Sequence, residues 1–144
     1  MKIVLQRVNS AAVEVDGAEV GRIGKGYAVF LGIAEGDTLA AADKMADKIA
    51  RLRIFADADG KTNLSAKDVG GEILIISQFT LMADCTQNRP SFSNAAKPEF
   101  AKELYEHFIL QCEGRFARVA SGRFGAHMRV RADNDGPFTL VLEG

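Results

Sequence analysis

Gly71-Glu72-Ile73-Leu74-Ile75-Ile76-Ser77-Gln78-Phe79-Thr80-Leu81 is the stretch around which the rest of this chain is arranged. Four consecutive aliphatics follow a Gly-Gly turn, the pattern of a strand buried on both faces. At its carboxyl end the run delivers Ser77, Gln78 and Thr80, a hydroxyl, an amide and a second hydroxyl. Polar groups placed there must find hydrogen bonds or face a cavity, because a buried unpaired one costs roughly 1–3 kcal/mol. On residue types alone, capping of the strand and entry into a turn account for them better than a ligand does.

Working outward, Tyr27-Ala28-Val29-Phe30-Leu31-Gly32-Ile33 is a second almost wholly apolar strand, entered through Gly24-Lys25-Gly26. Ahead of it, Val13-Glu14-Val15-Asp16-Gly17-Ala18-Glu19-Val20 alternates around an Asp-Gly pair. That pair suits a tight hairpin, since both turn positions tolerate positive φ. Residues 2–8 read as a separate first strand, so the first third is expected to be a meander. Asp37 or Thr38 caps a helix in which Leu39, Ala42, Met45, Ala46, Ile49 and Leu52 recur at helical spacing. Arg53-Ile54-Phe55 is a short extended piece. Asp57-Ala58-Asp59-Gly60-Lys61 begins like a calcium loop, lacks the later ligands and reads as a turn.

Beyond the central run, residues 82–96 contain Asn88, Pro90, Ser91, Ser93 and Asn94, too polar and broken for a regular element. Loops of this length in small domains are often functional. Pro98 opens a second helix whose Ala101, Leu104, Phe108 and Cys112 share one face, with Gly114 to end it. His107 falls one step off that face and reads as a helix-surface residue. Met128 to Ala132 alternates as a strand, and Phe138, Leu140 and Leu142 share a face of a last one. Many strands with two amphipathic helices make an α/β domain, helices covering one side of a curved sheet and further strands the other.

At 144 residues the chain is expected to be one domain spanning 1–144, long enough to bury about two-thirds of its unfolded surface. A net charge of −1 argues against a basic surface that coats nucleic acid, so any contact with RNA is local. The one bias is in residues 114–132, which hold no acidic side chain but carry Arg115, Arg118, Arg123, Arg129 and Arg131. A solvated strand face and phosphate contact fit that bias equally. Cys85 and Cys112 have no metal-ligand spacing and read as reduced thiols, and no cofactor constellation is visible. Residues 1–7 turn polar too soon for a signal peptide and no apolar run spans a bilayer. A soluble cytoplasmic protein is the expectation.

Familiar hydrolase machinery is absent from the pattern. There is no Gly-x-Ser-x-Gly elbow, and Ser77, His127 and Asp133 form a triad only on paper. No motif supports a reactive thiolate at Cys85, and no base stands beside Thr80 in the sequence.

A second stretch, Asn134-Asp135-Gly136-Pro137-Phe138-Thr139, changes the weight of the first. Together, Ser-Gln-Phe-Thr-Leu and Asn-x-Gly-Pro-x-Thr resemble the two signature motifs of the D-aminoacyl-tRNA deacylases. Gln6-Arg7-Val8, Asn63-Leu64-Ser65, Arg89-Pro90-Ser91-Phe92-Ser93 and Gly122-Arg123-Phe124-Gly125-Ala126-His127-Met128 fall in the same order as in that family. The likeness runs nearly end to end. It implies a three-layer β/β/α arrangement with a curved mixed sheet, a homodimer, and an aminoacyl-tRNA acceptor end as partner. It also implies an ester hydrolysis assisted by the 2′-hydroxyl of the RNA, with backbone N–H groups supporting the oxyanion.

By the same resemblance Ser77, Gln78, Phe79 and Thr80 line the catalytic site, and Met128 belongs to the substrate-binding set. Gly136-Pro137, cis and inserted into the other subunit, takes the α-ammonium on its carbonyls and leaves no room for an L side chain. Glycyl-tRNA is then a second substrate. Arg89, Arg129 and Arg131 are the candidates for tRNA contact. Two departures stand out: Phe138 replaces the usual Val, and residues 85–89 form a shortened loop whose only cation is Arg89. The rival readings are a small-ester hydrolase using Ser77 or Cys85, and a non-catalytic tRNA-binding module.

Overall fold

The first strand is longer than its residue pattern suggests. In a computed structural model describing residues 1–144, β1 runs unbroken over Lys2–Val15. β2 (Ala18–Ile23) returns through Asp16 and Gly17, both at positive φ (51° and 78°), the geometry an Asp-Gly hairpin permits. β3 (Gly26–Gly32) does not extend a meander from there. It pairs antiparallel with residues 2–8 of β1, while β2 pairs with residues 11–15. The expected meander fails because β1 is long enough to hold two strands in succession along one edge. The final strand, β8 (Arg129–Glu143), takes the other edge, joining the two stretches expected as separate strands.

Between β3 and β8 lie α1 (Leu39–Arg51), β4 (Arg53–Ala56), β5 (Thr62–Ser65), β6 (Glu72–Ser77), α2 (Pro98–Cys112) and β7 (Val119–Ser121). β4 and β5 make a small hairpin of their own, its turn tied by Asp57 Oδ1, which accepts from the N–H groups of Asp59 and Lys61 at 2.9 Å. β6 pairs in parallel with β3 on one side and β7 on the other. It is the central member that its aliphatic run requires.

Alternation along β3 and β6 sorts the core into two. Tyr27, Val29, Leu31, Ile73 and Ile75 pack with the inward faces of α1 and α2. Ala28, Leu74 and Ile76 point the other way, against Val8, Ala11, Val13 and Ile23 of β1 and β2. The far half of β1 and its hairpin partner thus fold over the second face, curving the sheet nearly into a barrel. Helices cover one side and strands the other, the single α/β domain expected. Each large aliphatic buried here contributes about 1.5–3 kcal/mol.

The helices need local corrections. Thr38, not Asp37, caps α1, its hydroxyl accepting from Ala41 N–H at 3.1 Å. Asp37 instead accepts from Ala34 N–H and from the Met1 ammonium, both at 2.7 Å. Leu39 leaves the expected apolar stripe and is 44% exposed. His107 is half-buried, not a plain surface residue, and bridges α2 to α1 through Nε2, 2.6 Å from Asp43 Oδ1. Tyr105 is buried beneath β6, donates its hydroxyl proton to the Ile75 carbonyl at 2.9 Å, and has its pKa pushed up to about 12 by desolvation. No helix is long and apolar enough to cross a membrane.

Candidate functional site

β3 and β6 run in parallel and end together, Leu31 opposite Ser77. The crevice outside the carboxyl ends of parallel strands is where such sheets place ligands. A cavity of about 660 Å³ lies there, lined by Leu31 and Ile33 from β3 and its exit, Ser77, Gln78 and Phe79 after β6, and Phe124 to Met128 ahead of β8. Most of its lining is hydrophobic. Of the expected site residues, Ser77, Gln78, Phe79 and Met128 meet in this wall, with Thr80 exposed just beyond them.

Local geometry explains why the chain turns here. Gln78 N–H extends the ladder by one bond, donating to Leu31 O at 2.8 Å, and the chain then closes into a 3-10 turn over Phe79–Met82. The loop expected from residue 82 therefore begins with a formed turn, and later closes on itself where Asp84 and Ser91 exchange backbone hydrogen bonds of 2.8 and 2.9 Å. The N–H groups of Phe79 and Thr80 are the first of that turn, and the first amides of a helix have no acceptor within it. Gln78 Nε2 donates to Thr80 Oγ1 at 2.6 Å, fixing the two side chains together. Gly32 makes the turn possible: a Cβ there would sit 2.8 Å from Leu81 Cβ and 3.0 Å from Gln78 O. Gly122 does the same for Met128, whose Sδ would lie 2.4 Å from an added Cβ. Sequence reading missed both glycines, although Gly32, within the apolar run of β3, carries the signal of close backbone approach.

The nucleophile candidates separate. Ser77 and His127 line the same cavity but share no hydrogen bond, and Asp133 lies in a different recess beside Ser10 and Arg22. The paper triad is therefore not assembled. Cys85 is exposed on its loop and outside the cavity wall. Cys112 is buried in the core, where burial pushes its thiol up to about 12. No group of three His, Cys, Asp or Glu residues is placed to share a metal ion.

Gly136-Pro137 is elsewhere. Gln6 pairs with Thr139 and Val8 with Asn134, so residues 135–138 of β8 have only Arg7 opposite them and bulge outward. Both residues of the dipeptide are exposed, their shared peptide bond is cis, and neither lines the cavity of its own chain. Gly136 has φ +129°, and an added Cβ would lie 3.0 Å from Phe138 N and 3.3 Å from Arg7 Nη2. Arg7 fastens the bulge from behind. Its Nε lies 3.2 Å from both the carbonyl and the carboxylate of Asp135, and its Nη1 donates to Ile54 O at 2.6 Å. The guanidinium also lies 4.7 Å from the centre of the Phe138 ring. Phe138, the departure noted in the sequence, is thus part of the clamp, and Arg7 is a residue to which sequence reading gave no role.

Of the expected RNA contacts, Arg131 is engaged by Glu14 at 2.7 Å. Arg89, Arg118, Arg123 and Arg129 are exposed and make no ion pair.

Comparison with known proteins is concordant. The family model described as D-Tyr-tRNA(Tyr) deacylase matches residues 4–143. D-aminoacyl-tRNA deacylase of Lactobacillus acidophilus is 55% identical over 144 residues, 99% of each chain. That of Dehalococcoides mccartyi is 54% identical over 99% of this chain and 94% of its own. A solved structure described as c-Myc DNA Unwinding Element Binding Protein superposes with a TM-score of 0.95 at 41% identity, covering 100% of this chain and 99% of that one. Another, of a "probable eukaryotic D-amino acid tRNA deacylase", gives a TM-score of 0.87 over 98% and 97% of the chains, and at 18% identity speaks for the fold alone. Matched along almost its whole length in sequence and in fold, the chain belongs to the D-Tyr-tRNA(Tyr) deacylase family.

Proposed function

We propose that this protein hydrolyses the ester of D-aminoacyl-tRNA, and of glycyl-tRNA, while sparing L-aminoacyl-tRNA. One observation carries the reading beyond family membership. The cavity is lined by the Ser77 hydroxyl and the Gln78 amide beside a turn whose first N–H groups have no acceptor within it, Ser77 is paired with no base, and the Gly136-Pro137 bulge stands outside. Water adds to the ester carbonyl, the bond to the ribose 3′-oxygen breaks, and free amino acid and tRNA leave. The N–H groups at Phe79 and Thr80 stabilise the developing oxyanion, and the neighbouring 2′-hydroxyl positions the water.

Selectivity needs a second copy. In a homodimer the bulge of one subunit enters the cavity of the other, its carbonyls accept from the α-ammonium, and main chain fills the space an L side chain requires. Glycine, with no side chain to exclude, is cleaved. Among the cations, Arg89 and Arg129 are the better tRNA contacts and Arg131 the poorer, because Glu14 already neutralises it. One similar protein is described as binding a DNA element. A protein that neutralises many duplex phosphates needs many free cations, and a net charge of −1 suits local contact with an acceptor end better.

The test is deacylation of D- and L-tyrosyl-tRNA by purified protein. Cleavage of the D form alone is expected, and equal rates overturn the chiral part. Undiminished cleavage of D-aminoacyl-tRNA ending in 2′-deoxyadenosine would return the chemistry to a protein side chain such as Ser77.

A further inference from the structure

The cavity has one cation in its wall. Lys97 is the only Lys or Arg among the lining residues, and no Asp or Glu is among them. Unlike Lys2 and Lys102, which meet Glu143 and Glu106, Lys97 takes part in no ion pair. Glu99 lies on the first turn of α2, and the N–H of Glu35 donates to Asn94 O at 3.0 Å, so both are acidic residues on segments adjoining Lys97. Neither reaches Lys97 within ion-pair distance.

The backbone beneath Lys97 is held on both sides. Ala96 N–H donates to Ile33 O at 3.0 Å, and Lys97 O accepts from Ala101 N–H at 2.9 Å. Its extended backbone, φ −59° and ψ 145°, is the conformation a following proline enforces. Pro98 has no N–H to offer, so the first helical residue gives an anion at this rim no amide in place of the ammonium. An unpaired charge at the exposed rim of a wall with no other Lys, Arg, Asp or Glu has a direct consequence for whatever dipolar molecule enters.

We propose that Lys97 binds the phosphodiester that joins the terminal adenosine to the rest of the acceptor strand, and so sets the direction in which the aminoacyl end enters. This rests on the aminoacyl-tRNA reading above. The substrate end is dipolar, with a cationic α-ammonium on the acyl side and an anionic phosphodiester on the 5′ side. Lys97 attracts the second and repels the first. The ammonium is thereby turned towards acceptors, and the ester towards residues 77–80.

The test is equilibrium binding of two non-hydrolysable analogues in which D-tyrosine is amide-linked to 3′-amino-3′-deoxyadenosine. One carries a 5′-methyl phosphodiester and the other a free 5′-hydroxyl. Wild-type protein is expected to prefer the phosphodiester by about three- to five-fold at low salt, a preference that fades by about 0.5 M. Lys97→Gln binds both alike, and Lys97→Arg keeps the preference. Wild-type protein indifferent to the phosphodiester, or a Lys97→Gln variant that still prefers it, overturns the proposal and leaves the functional reading standing. Wild-type protein that binds neither analogue overturns both.

Discussion

The two signature stretches have opposite settings. Residues 77–79 leave a strand whose Ile73, Leu74, Ile75 and Ile76 are all buried, and they form one wall of a recess. Gly136-Pro137 rides on an exposed bulge with a single residue opposite it, outside that recess of its own chain. One is concave and positioned by the core; the other is convex and positioned by one guanidinium. The difference teaches where precision comes from. In the first it is packing, in the second a few charge-assisted hydrogen bonds, and substitutions separate the two.

Gly136→Ala is the largest expected break. A Cβ at φ +129° would crowd Phe138 N and Arg7, so the bulge must shift. A displacement of the order of 1 Å at a reacting centre can cost about 100-fold. Discrimination between D- and L-tyrosyl-tRNA should fall by about that factor, and an unchanged ratio would detach the bulge from the site. Arg7→Gln comes next, since it removes charge-assisted bonds to Asp135 and Ile54 O. About 2 kcal/mol of stability should be lost, read by chemical denaturation, together with a smaller loss of chiral discrimination. Loss of stability with discrimination intact would show that the clamp serves only the fold.

On the concave side, Gly32→Ala drives a Cβ into Leu81 and the Gln78 carbonyl. Overpacking of this kind costs typically 1–3 kcal/mol. Turnover should drop while the D-to-L preference persists, the inverse of the Gly136 result, and a drop in both would mean the halves are not separable. The smallest effect concerns pH. The Cys112 and Tyr105 values are both raised to about 12 by burial, from ordinary values of 9.0 and 10.0. Raised folded values mean the unfolded chain releases these protons first. The associated stability is complete below about pH 9 and declines towards about pH 12. Tyr105→Phe should lose about 1 kcal/mol at neutral pH with its bond to Ile75 O, and its thermal midpoint should fall less steeply above pH 10.

How much of this was readable beforehand follows from the range of each interaction. The buried β6, the Asp16-Gly17 hairpin and both helices are written in neighbouring residues, and each occurs where the pattern puts it. β1 and β8 are not, because each is a single strand interrupted by irregular pairing near Val8, and local alternation reads an interruption as an end. That β3 pairs with β1 instead of β2 is likewise a non-local fact. The same holds at the site. Ser77, Gln78 and Phe79 announce themselves by polarity and by motif, whereas Arg7 is tied to Asp135, Arg131 to Glu14 and His107 to Asp43 across most or nearly half of the chain. The cavity draws its wall from β3, β6, α2 and the segment before β8, and no local window contains those together.

The gatekeeper proposed above, built from Gly136 and Pro137, has almost nothing for natural variation to adjust. Pockets that grip a side chain drift in preference whenever one lining residue changes size, but on the proposed reading the excluding surface is peptide group, the same in every protein. Stereochemical fidelity of this kind should either persist through wide sequence divergence or fail at once, with few intermediate grades. Attempts to make such a protein accept L-amino acids would have to redraw the course of the chain, because enlarging the recess leaves the obstruction in place.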